Sequence, residues 1–505
     1  MKNYRHTLAL GLLTVFLGLG TSSCEDRLNP APKASLNSAA AFDTPSRVLL
    51  QVNNMYDYVK AGNFLGGRYQ VYGDIRADDF LNRTSNLVTA AAVWQHTLTE
   101  SSQNDVINLW GAGYAAINQI NVFLAGVEAN AAKFTATPFP ADFPATVTAY
   151  TAEARFLRAL SYYSLLQFYA RPYTDSNGSK AGLPLRLNAE VDLGNNDLAR
   201  STVTQVYDQI LSDLNFAEQN LPLTNSASNV TRAHRNTAIA LKTRVYLSMA
   251  RYGDVVTEAN KIVSTAAPFR ATTGVLHALQ PSITTVFVGN QASTESILSF
   301  PFTTQDPPGT QNQLAYYYLP AAQGGNGEYS LNANGVLSNA RFLATDERNT
   351  SFVTRVSNVP YLRKYQNGAL APAPYTDNAP VMRYSEVLLN LAEALARTEG
   401  VGSTRALALL NAVRVRSNPA PNATTPSPAE YSAASFSSTF SIIDAILLER
   451  RIEFLGEGLR NNDIMRLQLT IPGKSTVGAV LPTATLYIWP IPNTELATNN
   501  LMTRN

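Results

Sequence analysis

The chain has 505 residues, of which 45% are apolar and 15% charged, with 28 Gly and 27 Pro. This composition is typical of a folded globular protein and excludes a collagen-like or disordered chain. Lys2 and Arg5 lie in the first 23 residues, which carry no acid, so the remainder holds 37 basic and 37 acidic residues. A balanced charge argues against nucleic acid as a partner, because its phosphates require an excess of Lys and Arg.

Residues 1–23 have the pattern of an export signal: a basic start, an apolar run from Leu8 to Gly20, and the small residues Thr21 to Ser23. Thirteen apolar residues rise only about 20 Å as a helix, short of the roughly 30 Å hydrocarbon core of a membrane. We therefore predict a signal peptide rather than a spanning helix.

Cys24 follows this signal directly and is the only cysteine of the chain, which excludes a disulfide framework. Its position is similar to that in a bacterial lipoprotein signal, although Thr21 stands where Leu is usual. The resemblance implies that Cys24 carries acyl chains that attach the protein to lipid, with residues 24–35 as a tether. The alternative is an incidental thiol.

Apolar residues recur at helical spacing in separated blocks. The blocks span Gln103–Ala129, Tyr150–Ala170, Ser201–Leu221, Ala233–Val263, Pro380–Thr398, Ser403–Arg416 and Ser441–Leu469. The segment Ala240–Ala259 has the small-residue and aromatic pattern of a tetratricopeptide unit. The sequence thus predicts a mostly α protein whose repeat helices occupy about 103–263 and 380–469.

The region 266–380 has a different residue pattern, with few helical signals. It contains the turn-forming stretches Pro307–Gly309 and Gly324–Gly327, and the aromatic run Tyr316–Tyr318 is interleaved with Gln and Asn. Long irregular excursions with aromatic content usually carry function. We predict a large, loop-rich, ligand-bearing insertion here.

Five blocks together resemble the SusD/RagB family of outer-membrane nutrient-binding lipoproteins. They are Trp110–Leu124, Glu153–Tyr163 with Arg171–Tyr173, Arg383–Ala394, Glu449–Arg466 and Trp489–Pro492. The resemblance implies one domain over residues 36–505, tetratricopeptide-like helices packed against a SusC-like TonB-dependent transporter, and a lipid anchor in the outer membrane facing the cell exterior. It also implies that the irregular half binds the ligand, commonly a glycan.

The acidic residues Glu449, Glu453 and Glu457 lie four residues apart and share one helical face. A glycosidase needs two carboxylates about 5 to 10 Å apart on opposite sides of a sugar ring, which residues stacked along one helix rarely provide. Arg450, Arg451, Arg460, Asp463 and Arg466 supply countercharges nearby, so we interpret the acids as part of a structural ion-pair network.

Other chemical signals are weak. Gly111–Ala116 fits a dinucleotide-binding pattern but continues a helical stripe where that pattern needs a strand. His96, His234 and His277 form no close pair, so we expect no transition-metal site, while calcium binding by scattered oxygens stays open. No nucleophile elbow is present. We predict no cofactor and no catalytic residues.

Sugar binding needs a flat aromatic ring under the C–H face of a pyranose, with polar side chains for the hydroxyls. Trp110 and Trp489 have core-like surroundings, whereas Trp94 does not. The candidate ligand-binding residues are Trp94, Tyr72, Asp78, Asp79, Tyr316, Tyr317 and Tyr318. The alternative for Trp94 is a partly buried packing role, and on an extended segment at least one of the three consecutive tyrosines should point inward.

The sequence therefore predicts a cell-surface protein that binds an oligosaccharide and delivers it to a transporter without a reaction. Two alternatives stay open: a lipid-anchored glycoside hydrolase, and a repeat scaffold that binds only a protein partner.

Overall fold

The computed structural model describes residues 40–192, 194, 196–225, 229–288, 291–366, 375–422 and 424–505. The predicted signal peptide, the predicted lipidation site Cys24 and the predicted tether lie outside the described residues. Within the described part of the chain, no helix has both the length and the apolar character needed to cross a membrane.

The described chain is mostly helical, as predicted. The α-helices are α1 (Pro45–Val59), α2 (Arg68–Ile75), α3 (Ala91–Gln95), α4 (Asn108–Ala129), α5 (Phe143–Tyr169), α6 (Val203–Asn220), α7 (Arg235–Ser248), α8 (Tyr252–Ala259), α9 (Leu314–Tyr318), α10 (Glu347–Phe352), α11 (Tyr384–Thr398), α12 (Thr404–Arg416), α13 (Ile442–Glu453), α14 (Leu459–Arg466) and α15 (Asn493–Thr498). A π-helical turn, Gln103–Ile107, leads into α4.

The helix boundaries follow local chemistry. The block 441–469 is two helices because Gly456 and Gly458 take left-handed φ values of 88° and 82° between them, a backbone conformation that favours glycine. Helix α6 begins one residue later than the sequence suggests. Its N-cap is Thr202, whose hydroxyl accepts the backbone N–H of Gln205 in a capping box.

Successive helices pack side by side into a layer. Helix α4 packs against both α1 and α5, and the order continues through α6, α7 and α8 to α11 and α12. Small residues allow close approach at these contacts. A Cβ on Gly113 of α4 would lie 2.8 Å from a Leu165 methyl of α5, so a larger residue there would displace the Leu165 side chain. This layer is the predicted repeat scaffold.

Six short strands in the described residues form three antiparallel pairs, which the sequence reading did not predict. They are β1 (Phe80–Asn82) with β3 (Tyr329–Leu331), β2 (Ser296–Phe300) with β6 (Ala379–Arg383), and β4 (Val353–Val356) with β5 (Val359–Leu362). Strands of three to five residues are too short to show a reliable alternating pattern. The pair β2–β6 joins the two ends of the irregular region, and β6 leads directly into α11.

A buried ion-pair network fastens this region to the helices, which confirms the structural role of the three acids. The shared helical face is wrong for Glu457, because α13 ends at Glu453. The Glu453 carboxylate receives Arg348 at 2.9 Å, Arg383 at 2.8 Å and Arg416 at 2.6 Å. Glu449 pairs with Arg348 and Arg414, and Glu457 pairs with Lys364 and Arg383. Most of these cations come from distant segments rather than from the neighbouring residues that the sequence suggested.

Candidate functional site

Two of the predicted binding residues lie in the hydrophobic core. Trp94 is 8% exposed, and its indole N–H donates to the Phe80 carbonyl at 2.8 Å. Tyr72 has no exposed surface, and its hydroxyl donates to the Asn104 carbonyl at 3.1 Å. Neither ring offers a face to a ligand, which corrects both predictions. For Trp94 the packing alternative describes the observed position. Trp110 and Trp489 are buried, as predicted.

The acids Asp78 and Asp79 bind Arg451 of α13. Arg451 contacts Asp79 at 2.6 Å and Asp78 at 2.9 Å, and the Val336 N–H donates to Asp79 at 2.8 Å. Burial alone would raise the pKa of Asp79, but the Arg451 guanidinium outweighs it, and the pKa lies below its usual value. Asp79 is therefore a structural residue, which corrects its predicted role. Asp78 stays a prediction, because 20% of its side chain is exposed.

The three consecutive tyrosines lie on a helical turn, α9, instead of the extended segment that we expected. Successive residues on a helix are about 100° apart, so two neighbours can face inward together. Tyr317 and Tyr318 are fully buried, which corrects their predicted contact with ligand, whereas Tyr316 is partly exposed. The expectation that at least one ring points inward is confirmed.

Tyr316 belongs to a partly exposed aromatic group that we call the tyrosine surface. It consists of Tyr316, Tyr361, Tyr375 and the loop 323–327. The Tyr316 and Tyr375 ring centroids are 6.1 Å apart at an interplanar angle of 67°. The Tyr375 hydroxyl donates to the Gly324 carbonyl at 2.5 Å, and a Cβ on Gly327 would lie 3.4 Å from the Tyr361 ring. The Tyr361 and Tyr375 side chains therefore border one loop, and the Tyr316 ring packs on Tyr375 beside it.

Glycine chemistry shapes that loop. Gly324 and Gly327 have φ values of 85° and 62°, and a Cβ on Gly325 would lie 2.1 Å from the Leu319 carbonyl oxygen. No other residue type adopts this path without strain or displacement. The path places the Asn326 N–H 2.9 Å from the Tyr316 carbonyl and leaves the Asn326 side chain exposed beside the rings.

A buried carboxylate holds the loop to the segment after β1. Glu328 is fully buried and accepts hydrogen bonds from the Thr84 hydroxyl, the Thr89 hydroxyl and the Asn326 amide. Within the described ranges, no Lys or Arg side chain lies within ion-pair distance of it. Glu328 thus fixes two loops by hydrogen bonds alone, which orders the edge of the tyrosine surface.

Arg83 supplies charge at this edge. Its backbone N–H donates to the Glu328 carbonyl at 2.9 Å, and its Nε donates to the Ser330 hydroxyl at 2.7 Å. The side chain is exposed and makes no ion pair with any residue that the structure describes. Guanidinium and amide groups beside exposed aromatic rings suit hydroxyl-bearing ligands, because they donate and accept hydrogen bonds around a C–H stacking face.

The sequence reasoning missed Arg83, Asn326, Glu328, Tyr361 and Tyr375. The Gly324–Gly327 stretch was recognised only as a turn. A turn flanked by tyrosines on both sides along the chain was the available signal, since loops between ordered segments commonly carry binding residues. Over the described residues, no cluster of three or more His, Cys, Asp or Glu side chains is arranged to hold a metal ion.

Comparisons with known proteins agree with this architecture. A family model described as starch-binding and associating with the outer membrane matches residues 28–247, and the SusD family model matches residues 235–505. The SusD-like protein P38 of Formosa agariphila is 22% identical over 100% of this chain and 99% of its own length.

Solved structures have the same fold. A SusD superfamily protein from Bacteroides fragilis is 32% identical with a TM-score of 0.77, covering 92% of this chain and 99% of its own. Surface glycan-binding protein A from Bacteroides uniformis is 19% identical with a TM-score of 0.69, at 92% and 99% coverage. The resemblance read from the five sequence blocks is confirmed, and the chain belongs to the SusD family.

Proposed function

We propose that this chain binds an oligosaccharide or polysaccharide at the tyrosine surface. The observation that carries the proposal is the pair of partly exposed rings, Tyr316 and Tyr375, at a loop whose Asn326 side chain is exposed, with the exposed Arg83 on the segment that Glu328 ties to that loop. Two comparisons support the ligand class, since one matching family model is described as starch-binding and one structural neighbour is named a glycan-binding protein. A shallow, wet aromatic site should bind with a Kd of about micromolar to millimolar.

A calorimetric screen tests this proposal. The purified chain without residues 1–24 is titrated with starch, laminarin and other plant, algal and host polysaccharides. For a ligand that binds, the double substitution Tyr316→Ala with Tyr375→Ala should weaken binding at least about tenfold, the effect of losing about 1.4 kcal/mol. Tyr58→Ala is the matched control, because Tyr58 of α1 is 41% exposed but lies outside the tyrosine surface. Unchanged affinity in the double variant would refute the site.

No covalent reaction is part of the proposed function. Glu449 and Glu453 of α13 and Glu457 of the following turn are each held in ion pairs with arginine or lysine, so they are not available as a general acid and base. Incubation of the protein with each bound saccharide, followed by chromatography, should return the saccharide intact. The appearance of shorter products would favour the glycoside hydrolase alternative.

We further propose that the chain is lipid-anchored at Cys24 in the outer membrane, faces the cell exterior, and passes its ligand to a SusC-like TonB-dependent transporter. Family membership and the lipoprotein-like start support this. Cys24→Ser should move the protein from the membrane fraction to the soluble fraction. An affinity-tagged chain solubilised from outer membranes should retain a TonB-dependent transporter, and its absence under mild detergent would count against the partnership.

A further inference from the structure

The helical half of the molecule contains a cavity, which we call the Arg186 cavity. Its volume is about 450 Å³, and it shares no residue with the tyrosine surface. Helix α4, the described residues of the loop 184–198 and the C-terminal helix α15 line it. The side chains that matter below are Tyr114, Asn118, Arg186, Glu190, Glu495 and Asn499. The volume lies within the range of about 300 to 1,000 Å³ typical of small-molecule sites.

Two asparagines hold the cavity open by binding the loop backbone. Asn118 of α4 donates to the Glu190 carbonyl and accepts the Glu190 N–H, both at 2.8 Å. Asn499 donates to the Leu198 carbonyl at 2.9 Å and accepts the Leu198 N–H at 3.0 Å. Each amide replaces a pair of backbone partners, so the loop is fixed at two points and the cavity is preformed. A preformed site lowers the ordering cost of binding.

The charged wall offers both donors and acceptors. Arg186 lies between two carboxylates: it contacts Glu190 on one side and Glu495 at 3.3 Å on the other. Asn499 and the Trp110 indole also donate to Glu495, at 2.8 Å and 3.2 Å. Arg186 offsets one of the two carboxylate charges, and the neutral amide and indole donors hydrogen-bond Glu495, so the wall keeps one net negative charge together with spare lone pairs and N–H groups.

An aromatic side chain completes the wall. Tyr114 packs on Trp110 with ring centroids 4.7 Å apart, and its hydroxyl donates to the Pro184 carbonyl at 3.0 Å. The ring is therefore fixed in place while it still borders the cavity. A fixed ring beside mixed donors and acceptors fits a molecule with apolar C–H faces and many hydroxyls, and the net negative charge disfavours an anion.

We propose that the Arg186 cavity is a second binding site, for a neutral saccharide unit of mono- to trisaccharide size. Only its ligand class rests on the function proposed above; the site itself is separate. Two sites on one chain would let a long polysaccharide be held at two points, which raises the overall affinity through effective concentration without a new contact at either site.

The indole signals of the three tryptophans give a test that identifies the site. Trp110 donates to the cavity residue Glu495, whereas Trp94 donates to the backbone of Phe80 in the core. We would record ¹⁵N indole NMR spectra of the chain during titration with maltotriose, laminaritriose, cellotriose and xylotriose, with Trp110→Phe to assign the signal. We expect at least one trisaccharide to shift the Trp110 signal.

Variants separate the two sites. Thr498 lines the cavity from the exposed side of α15, so Thr498→Tyr should fill it and weaken the Trp110-reported binding at least about tenfold. Ala497→Tyr is the matched control, because Ala497 is exposed on the same helix but does not line the cavity. Tyr316→Ala with Tyr375→Ala should leave the Trp110 titration unchanged.

Several results would overturn the proposal. They are a Trp110 signal that no trisaccharide moves at millimolar concentration, a shift that Thr498→Tyr leaves intact, or a shift produced by ethanolamine but by no saccharide. A cavity that fails while the tyrosine surface still binds would refute the second site alone. If the double tyrosine variant abolishes the Trp110 shift, the cavity does not bind independently, and the proposal is likewise refuted.

Discussion

The tyrosine surface and the Arg186 cavity lie on different halves of the molecule and are held in different ways. Glycine backbone conformations and the buried Glu328 shape the tyrosine surface, and its rings are the proposed binding groups. The Arg186 cavity is built on regular helices, where side-chain amides fix a loop and polar groups form the wall. The difference shows that irregular backbone is suited to displaying rings, and rigid helices to enclosing polar groups.

The ion-pair network under α13 should support both sites, so the largest effect is expected there. Glu453→Gln leaves Arg348, Arg383 and Arg416 with a neutral partner in a buried place. We expect a loss of about 3 to 5 kcal/mol in the free energy of unfolding, measured by urea titration. Glu128→Gln on the exposed surface of α4 is the control. If Glu453→Gln is as stable as the control, the ion-pair network does not stabilise the structure that supports the two sites.

Acid should also destabilise the folded protein, through three buried histidines. Burial lowers the pKa of His96 and His234 to about 3 and that of His277 to about 4, while the unfolded chain takes up each proton near pH 6.5. The unfolded state therefore binds more protons than the folded state below pH 6.5, and the free energy of unfolding falls as the pH is lowered. At pH 5.5 we expect a loss of about 1 kcal/mol for each histidine relative to pH 7.5.

Asp105 acts with the opposite sign. Burial raises its pKa to about 7, so the folded state is the better proton acceptor below that pH, and acidification returns part of the lost stability. Asp105→Asn should therefore be more stable than the parent at pH 7.5 and should lose more on acidification. The urea midpoints of the parent and of Asp105→Asn, measured at pH 7.5 and 5.5, test this prediction. An equal change of midpoint with pH in both proteins would contradict it.

A change in the glycine loop should separate the two sites. Gly325→Ala drives a Cβ against the Leu319 carbonyl, so we expect about 1 to 3 kcal/mol of lost stability and weaker saccharide binding at the tyrosine surface. The Trp110 indole signal that reports the cavity should stay where it is. Gly402→Ala is the matched control, because a Cβ there meets nothing within 4 Å. Equal effects at both sites would break the comparison.

The smallest effect is expected at the exposed pair Arg504–Glu100 near the C-terminus. The Arg504 side chain is 71% exposed, and such pairs contribute about 0 to 1 kcal/mol. Arg504→Ala should change neither the urea midpoint nor the Trp110 titration measurably. A clear loss of cavity binding would mean that the cavity depends on the outer end of the chain and not on its buried amides.

The helical half could be predicted from the sequence because helices of 13 to 27 residues, such as α5 and α12, repeat their apolar pattern over several turns. The direction of each ring in Tyr316–Tyr318 could not. It depends on whether a five-residue segment is helical or extended, and five residues carry no periodic signal. Burial of Trp94 depends on packing among distant segments, which local pattern does not reveal.

The Arg186 cavity was beyond prediction for a related reason. Its residues come from three segments, near Tyr114, Arg186 and Glu495, that are separated by about 70 and 300 positions along the chain. Each segment alone has an ordinary composition. By contrast, the structural role of Glu449, Glu453 and Glu457 was interpreted correctly from the nearby countercharges, although only the first two lie on α13.

The strand pair β2–β6 has a consequence for how such proteins diversify. Phe300 and Ala379 are paired in the ladder, so the chain between them leaves and rejoins the helical layer side by side, while Arg348 and Lys364 within it hold it to the acids on and just after α13. Provided that Arg348 and Lys364 are kept, the loops of such a segment can change in length or residue type while the helices keep their register. Grafting the corresponding stretch from another member of the family onto these helices is therefore a direct route to altered ligand preference.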